Sequence, residues 1–85
     1  MIQKRVEEIE VNRVLGPKYI KTKQLLGGSS SRCLVLEDTA GFVWVIPWYG
    51  ADLKGIDLEK IRPGTLLRLT VYTLINDVVG KVEFI

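Results

Sequence analysis

The residues best suited to bind a ligand are aromatic and basic side chains that alternate over residues 18–26. If this stretch is a β-strand, Tyr19, Lys21 and Lys23 lie on one of its faces. An ammonium group neutralises phosphate, and a tyrosine ring offers a face on which a base can stack. The pattern therefore favours contact with a nucleic-acid strand. The alternative is an ordinary solvent-exposed strand face, where both residue types are common.

A second aromatic pair occurs in residues 42–48. Strand geometry with a period of two puts Trp44 and Trp48 on one face and Val43 and Val45 on the other. Small β-branched valines suit the interior of a small barrel, so we expect the two indoles to face outward as a stacking surface. The alternative is that both tryptophans are core residues, because tryptophan is highly buried on average.

The charges of the chain are unevenly distributed. The segment Val11–Leu36 contains five of the 12 bases and none of the 10 acids, although the whole chain has a formal net charge of only +2. Such asymmetry favours contact with a polyanion on one side of the molecule. The bases of this segment are Arg13, Lys18, Lys21, Lys23 and Arg32.

Most catalytic chemistry is excluded by composition. The chain has no histidine and one cysteine, Cys33, so it lacks an imidazole base, the commonest zinc ligand and an internal disulfide. Glu37 and Asp38 are adjacent and point to opposite faces of a regular strand, so they cannot act as a carboxylate pair. We therefore expect no enzymatic activity, no catalytic residues, no metal site and no cofactor.

Length and hydropathy indicate one domain spanning residues 1–85, with no membrane segment. No apolar run approaches the roughly 18 residues that a membrane span needs, and the start, MIQKRVEEIE, lacks the features of a signal peptide. We expect a cytoplasmic protein, associated with the nucleoid if the organism is prokaryotic. Few amides with abundant lysine, glutamate and aliphatic residues suggest a heat-adapted source.

A complete β-hairpin is predicted over residues 32–48. Asp38 can accept hydrogen bonds from the amides of a tight turn, and Gly41 can adopt the left-handed conformation that closes it. Before the hairpin we expect a lead-in of residues 1–16 with a helical turn, a break at Gly16-Pro17, a strand at 18–26 and a loop at 27–31. After the hairpin we expect a short helix or two turns within 49–62, capped by Asp52 or Asp57. Strands at 65–75 and 78–85 follow, with a bulge or bend at Gly80.

Five strands with a short helical element between the third and fourth follow the order of an OB-fold, an all-β, partly open Greek-key barrel. Three stretches resemble single-stranded-DNA-binding domains of the replication protein A type: VEEIEVNRVLGPKYIKTKQ, RCLVLEDTAGFVWVIPW and LEKIRPGTLLRL. The resemblance implies a basic contact at Lys23, a ligand-facing Trp44 and a stacking Trp48. The strand pattern alone is also compatible with an SH3-like barrel.

The first functional hypothesis is binding of single-stranded DNA or RNA, with DNA favoured, by base stacking and phosphate contacts. The alternative is an OB-fold subunit that meets a protein partner or a second copy of itself through the face of Trp44, Ile46 and Trp48 or through its apolar C-terminus. The expected nucleic-acid contacts are Tyr19, Lys21, Lys23, Arg32, Trp44, Trp48, Arg68 and Tyr72.

Overall fold

The computed structural model describes residues 2–21, 30–48, 51, 53–73 and 76–85. They form one antiparallel sheet of five strands in the order β3-β2-β1-β4-β5, which confirms the all-β prediction. The strands are β1 (Gln3–Lys21), β2 (Ser30–Asp38), β3 (Val43–Pro47), β4 (Leu66–Thr73) and β5 (Asp77–Phe84).

The long strand β1 joins the two halves of the sheet. Its first part pairs with β4 from Gln3 to Glu10, and its second part pairs with β2 from Val11 to Lys21. The predicted helical turn in residues 1–16 and the break at Gly16-Pro17 are therefore wrong over the part that the structure describes. Gly16 has a φ of 99° and lies at a shift in register, so the glycine allows a bulge through which the strand continues.

The two edge strands do not pair with each other. β3 and β5 approach one another, but within the described ranges no ladder joins them, so the sheet is open. The predicted closure into a barrel is thus not found, whereas the predicted five strands are. Residues 22–29, which include Lys23 and most of the predicted loop, lie outside the described residues.

The core lies on one face of the curved sheet. On β4 the residues Leu67, Leu69 and Val71 point into this core and are all 0% exposed. The register shift between Thr70 and Val71 leaves Gly80 as the extra residue of β5, which confirms the predicted bulge. The other buried apolar side chains of this core are Ile9, Val11, Leu34, Leu36, Ile46, Ala51, Leu53, Ile61, Val79 and Val82.

Two short 3-10 turns, Leu53–Gly55 and Leu58–Lys60, lie between β3 and β4, where the sequence predicted a short helix or two turns. Asp57 caps the second turn by accepting a hydrogen bond of 3.1 Å from the backbone N–H of Glu59, as predicted. Ile61, which follows that turn, is buried, so the connection covers part of the core. Among the described helical turns, none is long and apolar enough to cross a membrane.

Candidate nucleic-acid interface

The β2–β3 turn is built around the carboxylate of Asp38. Its Oδ1 accepts hydrogen bonds from the backbone N–H groups of Ala40 and Phe42 at 2.9 and 3.0 Å. The Gly41 N–H donates to the Asp38 carbonyl oxygen at 3.0 Å, and Gly41 has a φ of 90°. The predicted hairpin and the predicted roles of Asp38 and Gly41 are confirmed.

Trp44 faces the core rather than solvent. Its indole N–H donates to Asp38 Oδ2 at 2.8 Å, and its half-buried ring packs against the core. Val43 and Val45, on the opposite face of β3, are 53% and 42% exposed. The predicted orientation of this strand is therefore wrong, and Trp44 is not part of an outward stacking surface.

The leucines of β2 decide this orientation. Trp44 lies opposite Leu36 and Ile46 lies opposite Leu34 across the ladder, and Leu34, Leu36 and Ile46 are almost completely buried. Since cross-strand partners share a face, the even-numbered residues of β3 must point inward with them. Because Ile46 is 0% exposed, the alternative docking face of Trp44, Ile46 and Trp48 is also wrong.

Arg32 and Trp48 form a contact at the far end of the hairpin. The Arg32 guanidinium carbon lies 4.1 Å from the ring centroid of Trp48, within the range of a cation–π interaction. Arg32 is exposed, whereas Trp48 is half-buried and packs against the core. The Trp48 backbone N–H donates to the Arg32 carbonyl oxygen at 2.9 Å, which fixes the two residues side by side.

The sheet register brings further predicted residues to this end. Tyr19 lies opposite Arg32, and Lys18 lies opposite Cys33. Lys21 lies opposite Ser30 at the last position of β1. We call Tyr19, Lys21, Arg32 and Trp48 the basic corner; Lys18 is not part of it, because it shares the face of Cys33 and not that of Arg32. Tyr19 of β1, Arg32 of β2 and Trp48, the residue after β3, form one row across this end of the sheet.

Arg68 and Tyr72 do not join the basic corner, because both lie on β4 in the other half of the sheet. The ladder places Arg68 opposite Glu8 on one side and opposite Glu83 on the other, so phosphate would have to compete with two carboxylates. A Cβ placed on Gly80 would lie 2.5 Å from Tyr72 Cε2, so the glycine already occupies one face of that ring.

A groove of about 540 Å³ opens between β1, β3 and β5, and sequence reasoning missed it. Three carboxylates, those of Glu7, Asp38 and Asp77, line it against the guanidinium of Arg5, whereas Glu8 lies opposite Arg68 on the other face of β1. No single stretch of sequence signals this surface, because its walls come from separate strands. We call it the acidic groove; it is lined by Arg5, Glu7, Glu8, Ile9, Asp38, Ala40, Phe42, Val43, Trp44, Val45, Asp77 and Val79.

Arg5 forms ion pairs with two carboxylates of this groove. Its guanidinium donates to Asp77 Oδ2 at 2.7 Å and to Glu7 Oε1 at 3.0 Å. The hydrogen bonds from Arg5 and from the Thr73 hydroxyl lower the pKa of Asp77 to about 2, and the same two carboxylates raise the pKa of Arg5. The pair therefore stays ionised at neutral pH.

One further pKa shift occurs beside the hairpin. Hydrogen bonds from the Asn12 amide and the Arg13 guanidinium lower the pKa of Glu37. Within the residues that the structure describes, no group of three or more acidic or cysteine side chains is placed to hold a metal ion. The arrangement suits binding through charge, stacking and backbone pairing.

Comparison with known proteins does not assign the chain to a family. No protein-family model, no curated protein and no solved structure matches the chain.

Proposed function

We propose that this chain binds single-stranded nucleic acid, DNA in preference to RNA, with low sequence specificity, and that it does so at the basic corner. The observation that carries the proposal is the guanidinium of Arg32 held 4.1 Å from the ring centroid of Trp48. Bases stack on arginine and aromatic planes alike, and the guanidinium N–H groups bind phosphate. Trp48 packs against the core and thus holds Arg32 ready for both contacts.

The charges around this stack support the same ligand. Lys21 follows Tyr19 by two residues on β1, and the parts of β1 and β2 that form the corner both belong to the acid-free segment Val11–Leu36. Within the described residues, Arg32 is not in an ion pair, unlike Arg5 and Arg13. Phosphate groups would therefore meet, at Arg32, a guanidinium that no carboxylate of the described residues neutralises.

We further propose that the fold is related to the OB-fold of replication protein A-type domains. In that fold the face of strands 2 and 3 and the loops after strands 1 and 4 bind oligonucleotides. The sheet order, in which β1 pairs with both β2 and β4, supports this relation. The structure would then correspond to such a barrel that is open between β3 and β5. The basic corner lies where β1 ends and β2 begins, beside the loop that such proteins use.

The proposal is tested with a fluorescently labelled 15-nucleotide oligo-dT and anisotropy at several salt concentrations. Two phosphate contacts, from Lys21 and Arg32, predict a slope of about −1.4 for log affinity against log salt. Arg32→Gln removes a charge and the plane on which a base stacks, so affinity should fall about tenfold and the slope should lose about 0.7.

The matched control is Arg62→Gln, which removes the same charge from an exposed arginine outside the corner. It should leave affinity within about twofold of the wild type, because only nonspecific attraction changes. Equal losses in the two variants, or no binding of oligo-dT even at low salt, would show that the corner is not the binding site. A duplex of the same length should bind more weakly, because its bases are not free to stack.

A further inference from the structure

The free edge of β3 offers unpaired backbone groups to the acidic groove. The Asp38 N–H donates to the Phe42 carbonyl oxygen and the Trp48 N–H donates to the Arg32 carbonyl oxygen, both at 2.9 Å. In an antiparallel ladder alternate residues bond the same neighbour, so the even-numbered residues of β3 bond β2. The N–H and C=O groups of Val43 and Val45 therefore point away from β2, and no described strand pairs with them.

The surface beside this edge is apolar and accessible. Phe42 is 67% exposed, Val43 is 53% exposed and Val45 is 42% exposed. All three line the groove, together with Val79 of β5. This edge strand has much exposed apolar surface and no charged side chain, so its protection against pairing with another chain is limited to Pro47 at its end.

The charge of the groove distinguishes between ligands. The carboxylates of Glu7, Asp38 and Asp77 outnumber the single guanidinium of the groove, which is already bound by Glu7 and Asp77. The excess of negative charge disfavours a nucleic-acid backbone and favours a cationic segment. This region is thus opposite in charge to the basic corner.

We propose that the acidic groove binds an extended peptide of a partner protein, one that alternates apolar and basic residues and adds as a strand to the free edge of β3. Its backbone pairs with Val43 and Val45. Its apolar side chains cover the exposed valines, and its basic side chains, on the other face of the added strand, meet Glu7 and Asp77. Strand addition of this kind takes affinity from main-chain hydrogen bonds and specificity from alternate side chains. The inference stands independently of nucleic-acid binding.

The probe is a capped heptapeptide, Lys-Val-Lys-Val-Lys-Val-Lys, added to the full chain. The observable is amide hydrogen exchange by NMR, which follows Val43 and Val45 directly. Saturating peptide should slow exchange of these two amides about tenfold or more, with little change at Arg32. The charge-reversed peptide, with glutamate in place of lysine, should leave both amides unprotected.

Two variants separate the backbone contribution from the charge contribution. Val45→Pro removes an N–H from the free edge, where proline is tolerated, and should weaken peptide binding about tenfold. Its control, Val45→Thr, keeps the N–H and the β-branched shape and should bind within about twofold of the wild type. Glu7→Gln should weaken binding about threefold, whereas Glu59→Gln, at an exposed residue outside the groove, should not.

Three results would overturn the proposal. The first is equal binding of the two peptides of opposite charge. The second is equal binding by Val45→Pro and Val45→Thr, provided that circular dichroism shows both to be folded. The third is protection of Val43 and Val45 in the free protein together with a dimer mass by light scattering, because a second copy of the chain would then occupy the edge.

Discussion

The basic corner and the acidic groove lie in the same sheet but are built in opposite ways. The basic residues of the corner all come from the acid-free segment Val11–Leu36, and the register of β1 with β2 places them side by side. The groove draws its walls from β1, β3 and β5, whose contributing residues are far apart in sequence. A surface drawn from one segment is visible in the sequence, whereas one assembled from separate strands becomes visible only in the folded chain.

The two regions also treat their arginines differently. Arg5 in the groove is held by Asp77 and Glu7, with its shortest contact at 2.7 Å. Arg32 in the corner rests on the ring of Trp48. A guanidinium that two carboxylates already bind is a structural crosslink, whereas one on an aromatic ring keeps its hydrogen-bond donors for a ligand. The difference supports the proposal that nucleic acid binds at the corner and not at the groove.

The largest effect on stability should come from Asp38→Ala at the groove. The substitution removes the acceptor of three hydrogen bonds, including that of the half-buried Trp44 indole. Because bonds to a charged and buried acceptor are worth more than neutral ones, the free energy of unfolding should fall by about 3 kcal/mol. Urea unfolding measures the loss, and the emission of Trp44 should shift to the red.

The control for this variant is Asp57→Ala, which removes the cap of an exposed 3-10 turn. It should cost about 1 kcal/mol or less. Oligo-dT affinity of folded Asp38→Ala should stay near that of the wild type, whereas Arg32→Gln should show the reverse pattern. If both substitutions lowered both quantities equally, the corner and the groove would not be separate regions.

The hairpin was predictable because its determinants are local. An aspartate that accepts hydrogen bonds from turn amides and a glycine with positive φ are both favoured by the local sequence, and the structure shows Asp38 and Gly41 in these roles. The inward face of β4 was also predictable. There the inner residues Leu67, Leu69 and Val71 are uniformly aliphatic, whereas the other face carries Arg68. When one face of a strand is apolar and the other is mixed, the apolar face is the one that packs against the core.

The orientation of β3 was not predictable in the same way, because both of its faces are apolar. Alternation separates Trp44 from Val45 but does not say which of them is inside. The choice depends on Leu34 and Leu36 of β2, which lie opposite Ile46 and Trp44 and are buried. The continuity of β1 is likewise set by pairing with β4, as in Ile9 opposite Leu67, and not by its own local pattern.

A smaller effect is expected where Tyr72 covers Gly80, away from both regions. Gly80→Ala would place a methyl group 2.5 Å from Tyr72 Cε2, so the ring must leave its position. The free energy of unfolding should fall by about 1 kcal/mol, measured by urea unfolding. In a Tyr72→Ala background the same change should cost less than half as much, because the clash is gone.

This pair of variants also tests where nucleic acid binds. If Tyr72 stacked on a base, Tyr72→Ala would weaken oligo-dT binding as much as Arg32→Gln does. The proposal that binding occurs at the basic corner predicts no more than a twofold change, since Tyr72 lies on the opposite half of the sheet with Gly80 against its ring. An equal loss would extend the binding surface to β4.

The smallest effect should come from the exposed ion pair of Arg5 and Asp77. Asp77 has its pKa lowered from 3.8 to about 2, so its ionised form stabilises the folded chain. This contribution is fully present above the ordinary pKa and is lost as the pH falls through about 2. Melting temperatures of the wild type, Asp77→Asn, Arg5→Gln and the double variant should therefore give a coupling at pH about 6 that disappears near pH 2.

Salt offers the decisive control for this coupling, because the pair is on the surface. An ionic strength of about 1 M shortens the screening length to about 3 Å and should remove most of the coupling at neutral pH. A coupling that survived both acid and salt would mean that Arg5 acts by packing its alkyl chain in the groove. Apolar contacts of Arg5, and not its ion pairs, would then stabilise the groove. The carboxylates of the groove would remain available to bind a cationic ligand.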